Sequence, residues 1–302
     1  MQPNEATDPV VVLEPDASKG ARPVLRGEGG RDASFLPSTP QLTDPLQRAA
    51  RAPWRWAVAW WRIVHFGALI VVLALSPRSW GADNRRATAR HIWLDTAPVL
   101  GWFTVLCALV SLVLTRIVVV TALSYGLSQY ALEMVIRVLV LELIPLTAAL
   151  FVALRCTIPN GAELAQMRRR GVFDAMRARG IDPVGRELLP RVVAGMFSVV
   201  TLAALSCVVA MVLAYLAVYG FQPAGLPAYT RMFGQVFNPA VTLVFTLKTL
   251  FFSLAVSLMP MAAGLYESNV AGWRTSDELQ GLVRVFAVLV LIEVVSLVGN
   301  YY

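Results

Sequence analysis

Lys248 is one of only two lysines in the chain, and it is the sole charged residue between Pro239 and Leu265. Glu142 and Glu293 sit in comparably apolar surroundings. Ionisable groups in segments that cross a bilayer are costly, so each is a functional candidate by default. Counted in from the outer ends of their segments, the three lie about six to nine residues deep, roughly 9–14 Å at a rise of ~1.5 Å per residue. They can meet in one layer, where a lysine between two carboxylates lowers the cost of burying all three. Two roles fit such a layer: a polar lining for something passing between helices, or a static ion-pair lock. A second set lies nearer the outer surface. Glu133 and Arg137 are four apart, in the favoured order for a helical ion pair, and Arg116 lies close to the outer end of the preceding apolar segment. These groups can hold a phosphate at a mouth, or simply snorkel to the interface. At ~100° per residue Glu142 points about 180° from Glu133, which gives that segment two polar sides.

The elements that position these residues follow from composition. Hydrophobic residues make up 57% of the chain and charged residues 15%, against roughly a quarter charged in a soluble domain. Val192 to Tyr219 holds no charge at all, and such blocks exceed the roughly 20 residues needed to cross a bilayer. A soluble protein is excluded. Five spans are expected, at about 97–120, 134–154, 192–219, 239–263 and 282–299. Trp60 and Trp61 interleave with Arg55 and Arg62 before a short apolar run ending at Leu75, so 54–75 is expected to be an interfacial helix, with a complete span as the rival. Residues 1–52, rich in Pro, Gly, Asp and Arg, read as a disordered tail. The net charge of +7 comes almost wholly from arginine. Residues 155–191 carry eight arginines, whereas 121–133 carry none and 221–238 only Arg231. That asymmetry assigns 155–191 and the amino end to the cytoplasm and the carboxyl end to the outside, and it explains the basic charge without nucleic acid. Cys107, Cys156 and Cys207 have no ligand spacing and read as packing residues.

Between the second and third spans, Asn160 followed by Glu163 has the spacing of a capping box. A helix is expected over 161–179, stopping at Gly180 before Asp182-Pro183. Leu164, Met167 and Met176 can face inward while Arg168, Arg169, Arg170, Arg177 and Arg179 stay wet. Such a polar helix suits a transporter that receives force from a soluble motor, and it equally suits an ordinary basic loop.

A wider pattern surrounds this segment: Glu142-Leu143 and Pro145, Ala148-Ala149-Leu150, Arg155, Ala162-Glu163, Met167-Arg168, Asp174-Ala175, Asp182-Pro183 and Pro190-Arg191. In order and spacing it resembles the MlaE/YrbE permease family of the Mla and Mce lipid transporters, with weaker similarity over about 54–300. The resemblance implies an all-α membrane fold, an interfacial helix plus about five transmembrane helices. It further implies a homodimer with a second permease copy, a cytoplasmic ABC ATPase that binds ATP-Mg, an MCE-domain periplasmic partner and phospholipid as cargo, in a bacterial inner membrane. No cofactor is expected in this chain. Residues 156–190 would be the coupling segment, with Arg155, Glu163, Met167, Arg168, Asp174 and Asp182 as candidate ATPase contacts. Glu142 matches the acidic member of an Arg-Glu-Leu-Gly-Pro motif whose arginine is Leu141 here. Lys248 matches a family lysine, and Glu293 falls near a family aspartate. On this resemblance Glu142, Lys248 and Glu293, with Arg116 and Arg137 at the mouth, would line a lipid pathway. The chain departs from the pattern where Cys-Thr-Ile-Pro-Asn replaces a glycine-rich turn after Arg155. It departs again where Arg169-Arg170-Gly171-Val172 replaces a Thr-Glu-Gln run, so the ATPase contact is expected to diverge in detail.

Neither lysine lies in a Walker A motif, so ATP hydrolysis is expected in a separate chain. No H-E-x-x-H or G-x-S-x-G occurs, and the only histidines, His65 and His91, read as interfacial. The alternatives to lipid transport are an ABC permease for another hydrophobic cargo and a non-transporting membrane scaffold.

Overall fold

The computed structural model describes residues 45–266 and 274–301; the expected tail over 1–52 falls largely outside them. The described chain is helical throughout: α1 (Pro45–Leu75), α2 (Ala82–Ser124), α3 (Ser128–Val135), α4 (Ile144–Val152), α5 (Ile158–Arg169), α6 (Val172–Ala178), α7 (Leu189–Tyr219), α8 (Leu226–Val236), α9 (Pro239–Tyr266) and α10 (Arg274–Tyr301). Wider π-turns over Ile136–Leu143 and Ala153–Thr157 join α3, α4 and α5 into one continuous rod. Among the described residues, six helical runs are long and apolar enough to cross a membrane. Five contain the expected spans. The sixth is Ala57–Leu75, at 19 residues the length of a short span.

Packing around α7 follows from small side chains. Its inner face presents Ala194, Gly195, Ser198, Ala203, Ser206, Cys207, Ala210 and Ala214, all buried. In lipid, where apolar burial gives little drive between helices, small residues let backbones approach and hydroxyls bridge them. Thr96 Oγ1 and Ser198 Oγ accordingly lie 2.7 Å apart across the α2–α7 contact. Outward faces carry large apolar groups, such as Leu112, Val113, Val212, Leu243, Phe286 and Val294, all exposed.

A second, smaller core lies at the end of the bundle that carries the arginine-rich loop. Phe66 and Ile70 of α1 pack there with Leu164, Phe173, Leu189, Val192 and Met261. The apolar run of α1 packs on this core from Ile63 near its start to Leu73 and Ala74 near its finish. Gly67 stands against Leu258, Phe66 meets the Tyr266 ring edge-on at 6.4 Å, and beyond Leu75 Asn84 donates to the Gly185 carbonyl at 2.9 Å.

The loop departs from expectation in two ways. No capping box forms. The Ile158 N–H bonds to the Ala153 carbonyl, so the helical ladder continues from the span into α5 and leaves no orphan donors for Asn160 to cap. Asn160 Nδ2 donates instead to the Asp95 carboxylate at 3.2 Å. Nor is the helix over 161–179 continuous: it breaks after Arg169, because Gly171 takes φ +71°, a left-handed conformation that ends helices. The expected stop at Gly180 holds, with the Ile181 N–H closing onto the Met176 carbonyl. Leu164 is buried and Met167 and Met176 are half-buried, as their spacing requires. One close approach fixes the position of α5. A Cβ on Gly264 would collide with the Gly161 carbonyl oxygen, so α5 and α9 cross backbone to backbone.

Candidate functional site

Lys248 is the most deeply buried charged side chain of the charge layer, at 1% exposure, between Glu142 at 16% and Glu293 at 14%. Its Nζ is paired with Glu142 and lies 3.0 Å from Glu293 Oε2. The third acceptor comes from local backbone chemistry. Pro145 has no N–H to offer the Leu141 carbonyl four residues back, and within the π-turn that carbonyl accepts from Lys248 Nζ at 2.9 Å. An ammonium has three donors; two are hydrogen-bonded, to the Leu141 carbonyl and to Glu142, while Glu293 faces Nζ as an ion pair only, its buried Oε2 left without a hydrogen-bond partner. The Phe252 ring lies 5.9 Å from Nζ and closes one side.

Three helical elements therefore converge on this layer: the π-turn after α3, α9 and α10. The π-turn also changes the azimuth expected for Glu142. A wider turn advances each residue less than the ~100° of an α-helix, so opposition to Glu133 cannot be counted along the sequence. The outer set does not join the layer. Arg137 Nε pairs with Glu133 Oε1 at 3.0 Å, both about one-third exposed, while Arg116 is exposed on α2.

The candidate coupling residues scatter into separate roles. Asp182 is a cap: its carboxylate accepts from the Val184 N–H at 3.1 Å and the Gly185 N–H at 2.9 Å. Arg168 Nη1 donates to the Leu265 carbonyl at 2.6 Å, tying α5 to the end of α9. Asp174 pairs with Arg177 at 3.2 Å on the exposed side of α6. Arg155 is exposed, and Met167 lies with its sulfur 3.8 Å from Arg191 Nη2.

Arg191 is the residue that sequence reasoning missed. Its side chain is 5% exposed at the start of α7, and Nη2 lies 3.4 Å from both Glu163 of α5 and Glu187 of the preceding turn. Its Nε and Nη1 have no hydrogen-bond partner. A signal existed: Glu187 and Arg191 have the i,i+4 spacing of a helical ion pair, directly before the uncharged block from Val192. Among the described residues no cluster of three or more His, Cys, Asp or Glu is arranged to hold a metal ion.

A comparison with curated proteins finds no match. The family described as permease MlaE matches residues 88–298, which takes in α2 to α10, the charge layer and the arginine-rich loop. On that match, with the all-helical membrane-length architecture beneath it, the chain belongs to the MlaE permease family, the membrane-embedded subunits of ABC-type transporters.

Proposed function

We propose that this chain moves phospholipid between the inner membrane and an MCE-type periplasmic partner, as one half of a homodimer energised by a separate cytoplasmic ATPase. The observation that carries the reading is the Lys248–Glu142–Glu293 layer. A formal excess of carboxylate over ammonium is held among apolar helices, where charge is expensive and is kept for a purpose. Because Lys248 is already enclosed by two carboxylates and one carbonyl, the layer as it stands is closed to a phosphate. Admitting a headgroup requires the ion pairs to part, which alternation between two packings of the dimer supplies. ATP binding in the partner would bias those packings, and the lipid would contact each differently. Arg116 and Arg137 are positioned to meet phosphates nearer the mouth.

In this reading 155–191 faces the cytoplasm and α5–α6 receives the ATPase, with Glu163, Met167, Arg168 and Asp174 nearest the contact. Placing α1 along the cytoplasmic interface accords with its contacts, since both ends of its apolar run meet the arginine-rich end of the bundle.

The same enclosure of Lys248 between two carboxylates favours a second reading, a static lock between α9, α10 and the Glu142 helix. Lys248→Met in the assembled, reconstituted transporter separates the two. Normal assembly with loss of ATP-driven lipid movement supports the pathway; failure of the chains to assemble supports the lock. A complex that purifies without any ATPase would remove the transport reading altogether.

A further inference from the structure

A cavity of about 520 Å³ opens at the arginine-rich end between α1, α5, α9 and α10, displaced along α9 and α10 from the charge layer and lined by none of its residues. Small side chains line it: Ala162, Ala165, Ala262, Ala263 and Gly281 leave space that larger ones would fill. The size suits one small ligand or part of a larger one. Its floor is apolar, including Ile63, Met259 and Pro260, while Arg62 of α1 and Arg169 of α5 stand on its rim and Arg284 of α10 adds a third guanidinium. Among the described residues neither Arg62 nor Arg169 makes an ion pair, and the single carboxylate lining the space is Glu163, whose charge is held by Arg191 at 3.4 Å. The same stretch of α1 exposes Trp61 and Val64, side chains suited to contact with the headgroup and acyl boundary of a bilayer.

We propose that this cavity binds one anionic phospholipid, its phosphate held by Arg62 and Arg169 and an acyl chain laid against Ile63, Met259 and Ala262. Charge complementarity selects the ligand. An excess of guanidinium over an apolar slot between membrane helices fits an anionic headgroup, where a zwitterionic one would offset its own phosphate. Bound there, the lipid ties α1 to α5, α9 and α10 and sits beside the Glu163–Arg191 pair, so it acts as a structural or regulatory ligand and not as cargo. The site rests on the chain being membrane-embedded and does not require that the charge layer transport anything.

The test uses the full-length chain in mild detergent, titrated with dioctanoyl phosphatidylglycerol and read by native mass spectrometry and thermal shift. Dioctanoyl phosphatidylcholine and inorganic phosphate are run in parallel. Phosphatidylglycerol is expected to bind and raise the melting temperature, with Arg62→Gln/Arg169→Gln weakening it roughly thirtyfold, the effect of two arginines near a lipid surface. Gly281→Trp is expected to abolish it by filling the space this glycine lines; among the described residues a Cβ there meets nothing within 4 Å. Loss of binding in Arg62→Gln/Arg169→Gln, with the charge layer left intact, separates this site from any lipid held there. Equal stabilisation by inorganic phosphate would reduce the site to a solvated anion contact and overturn the proposal. Equal binding of phosphatidylcholine would overturn it as well, as would undiminished binding to Gly281→Trp; if that variant is not monodisperse, the double arginine variant decides alone.

Discussion

Two buried cations, Lys248 in the apolar middle of the bundle and Arg191 at its arginine-rich end, solve the same problem differently. Lys248 hydrogen-bonds one carboxylate and one carbonyl that a proline has freed, and faces a second carboxylate, Glu293, at ion-pair distance. Arg191 reaches two carboxylates through a single nitrogen and leaves Nε and Nη1 without partners. The carboxylates differ as well: those around Lys248 are nearly enclosed, whereas Glu163 is 56% exposed. Deep in the bundle no water can substitute for a lost partner, so Lys248 is held between two carboxylates. At the bundle end Arg191 is itself buried, but its partner Glu163 reaches solvent and can exchange the guanidinium for water.

The largest expected effect is at the enclosed layer. Lys248→Met strands two buried carboxylates and should cost about 3–5 kcal/mol, measured by titrating the purified chain with a denaturing detergent. Replacing all three groups together, as Lys248→Met with Glu142→Leu and Glu293→Leu, should recover most of that stability, because an apolar layer of similar volume needs no partners. If the triple variant is as unstable as the single one, the layer is not an isolated electrostatic unit. Arg191→Met should cost less, about 1–2 kcal/mol, since the carboxylates it leaves reach water; a loss equal to that of Lys248→Met would erase the contrast between the two regions. Asp182→Ala removes the acceptor for two backbone donors and should cost about 1 kcal/mol, visible as faster hydrogen exchange at Val184 and Gly185. Glu163→Gln should shift stability by no more than about 0.5 kcal/mol, as expected for a pair with one exposed member. A loss approaching that of Lys248→Met would show that the Arg191 pair holds the fold together as firmly as the Lys248 layer does.

Much of this contrast is legible in the sequence. Lys248 stands out because nothing else between Pro239 and Leu265 is charged, and depths counted along straight spans bring Glu142 and Glu293 to the same level. The spans themselves announce their length by their lack of charge. Arg191 is less visible because it adjoins seven other loop arginines, and only three-dimensional packing distinguishes a buried guanidinium from a wet one. The loop is hard to read for a different reason. Asn160 and Glu163 have capping spacing, but a cap is needed only where a helix begins, and the π-turn before Ile158 carries the helix through. Gly171 is a readable break, masked by arginines on both sides that favour helix. The departure at Cys156–Asn160, which replaces the family's glycine-rich turn, corresponds to the stretch where span and loop become one rod.

That rod has a mechanical consequence. Glu142 and Glu163 stand twenty-one residues apart along it, roughly 30 Å at ~1.5 Å per residue. Near its far end the rod is pinned to α9 by the backbone crossing of Gly161 and Gly264. A beam held at such a fulcrum magnifies small rotations: a tilt of about 6° there would carry Glu142, nineteen residues away, through roughly 3 Å. That displacement matches the length of an ion pair, so a slight rocking of α5 is enough to take the carboxylate of Glu142 out of reach of Lys248.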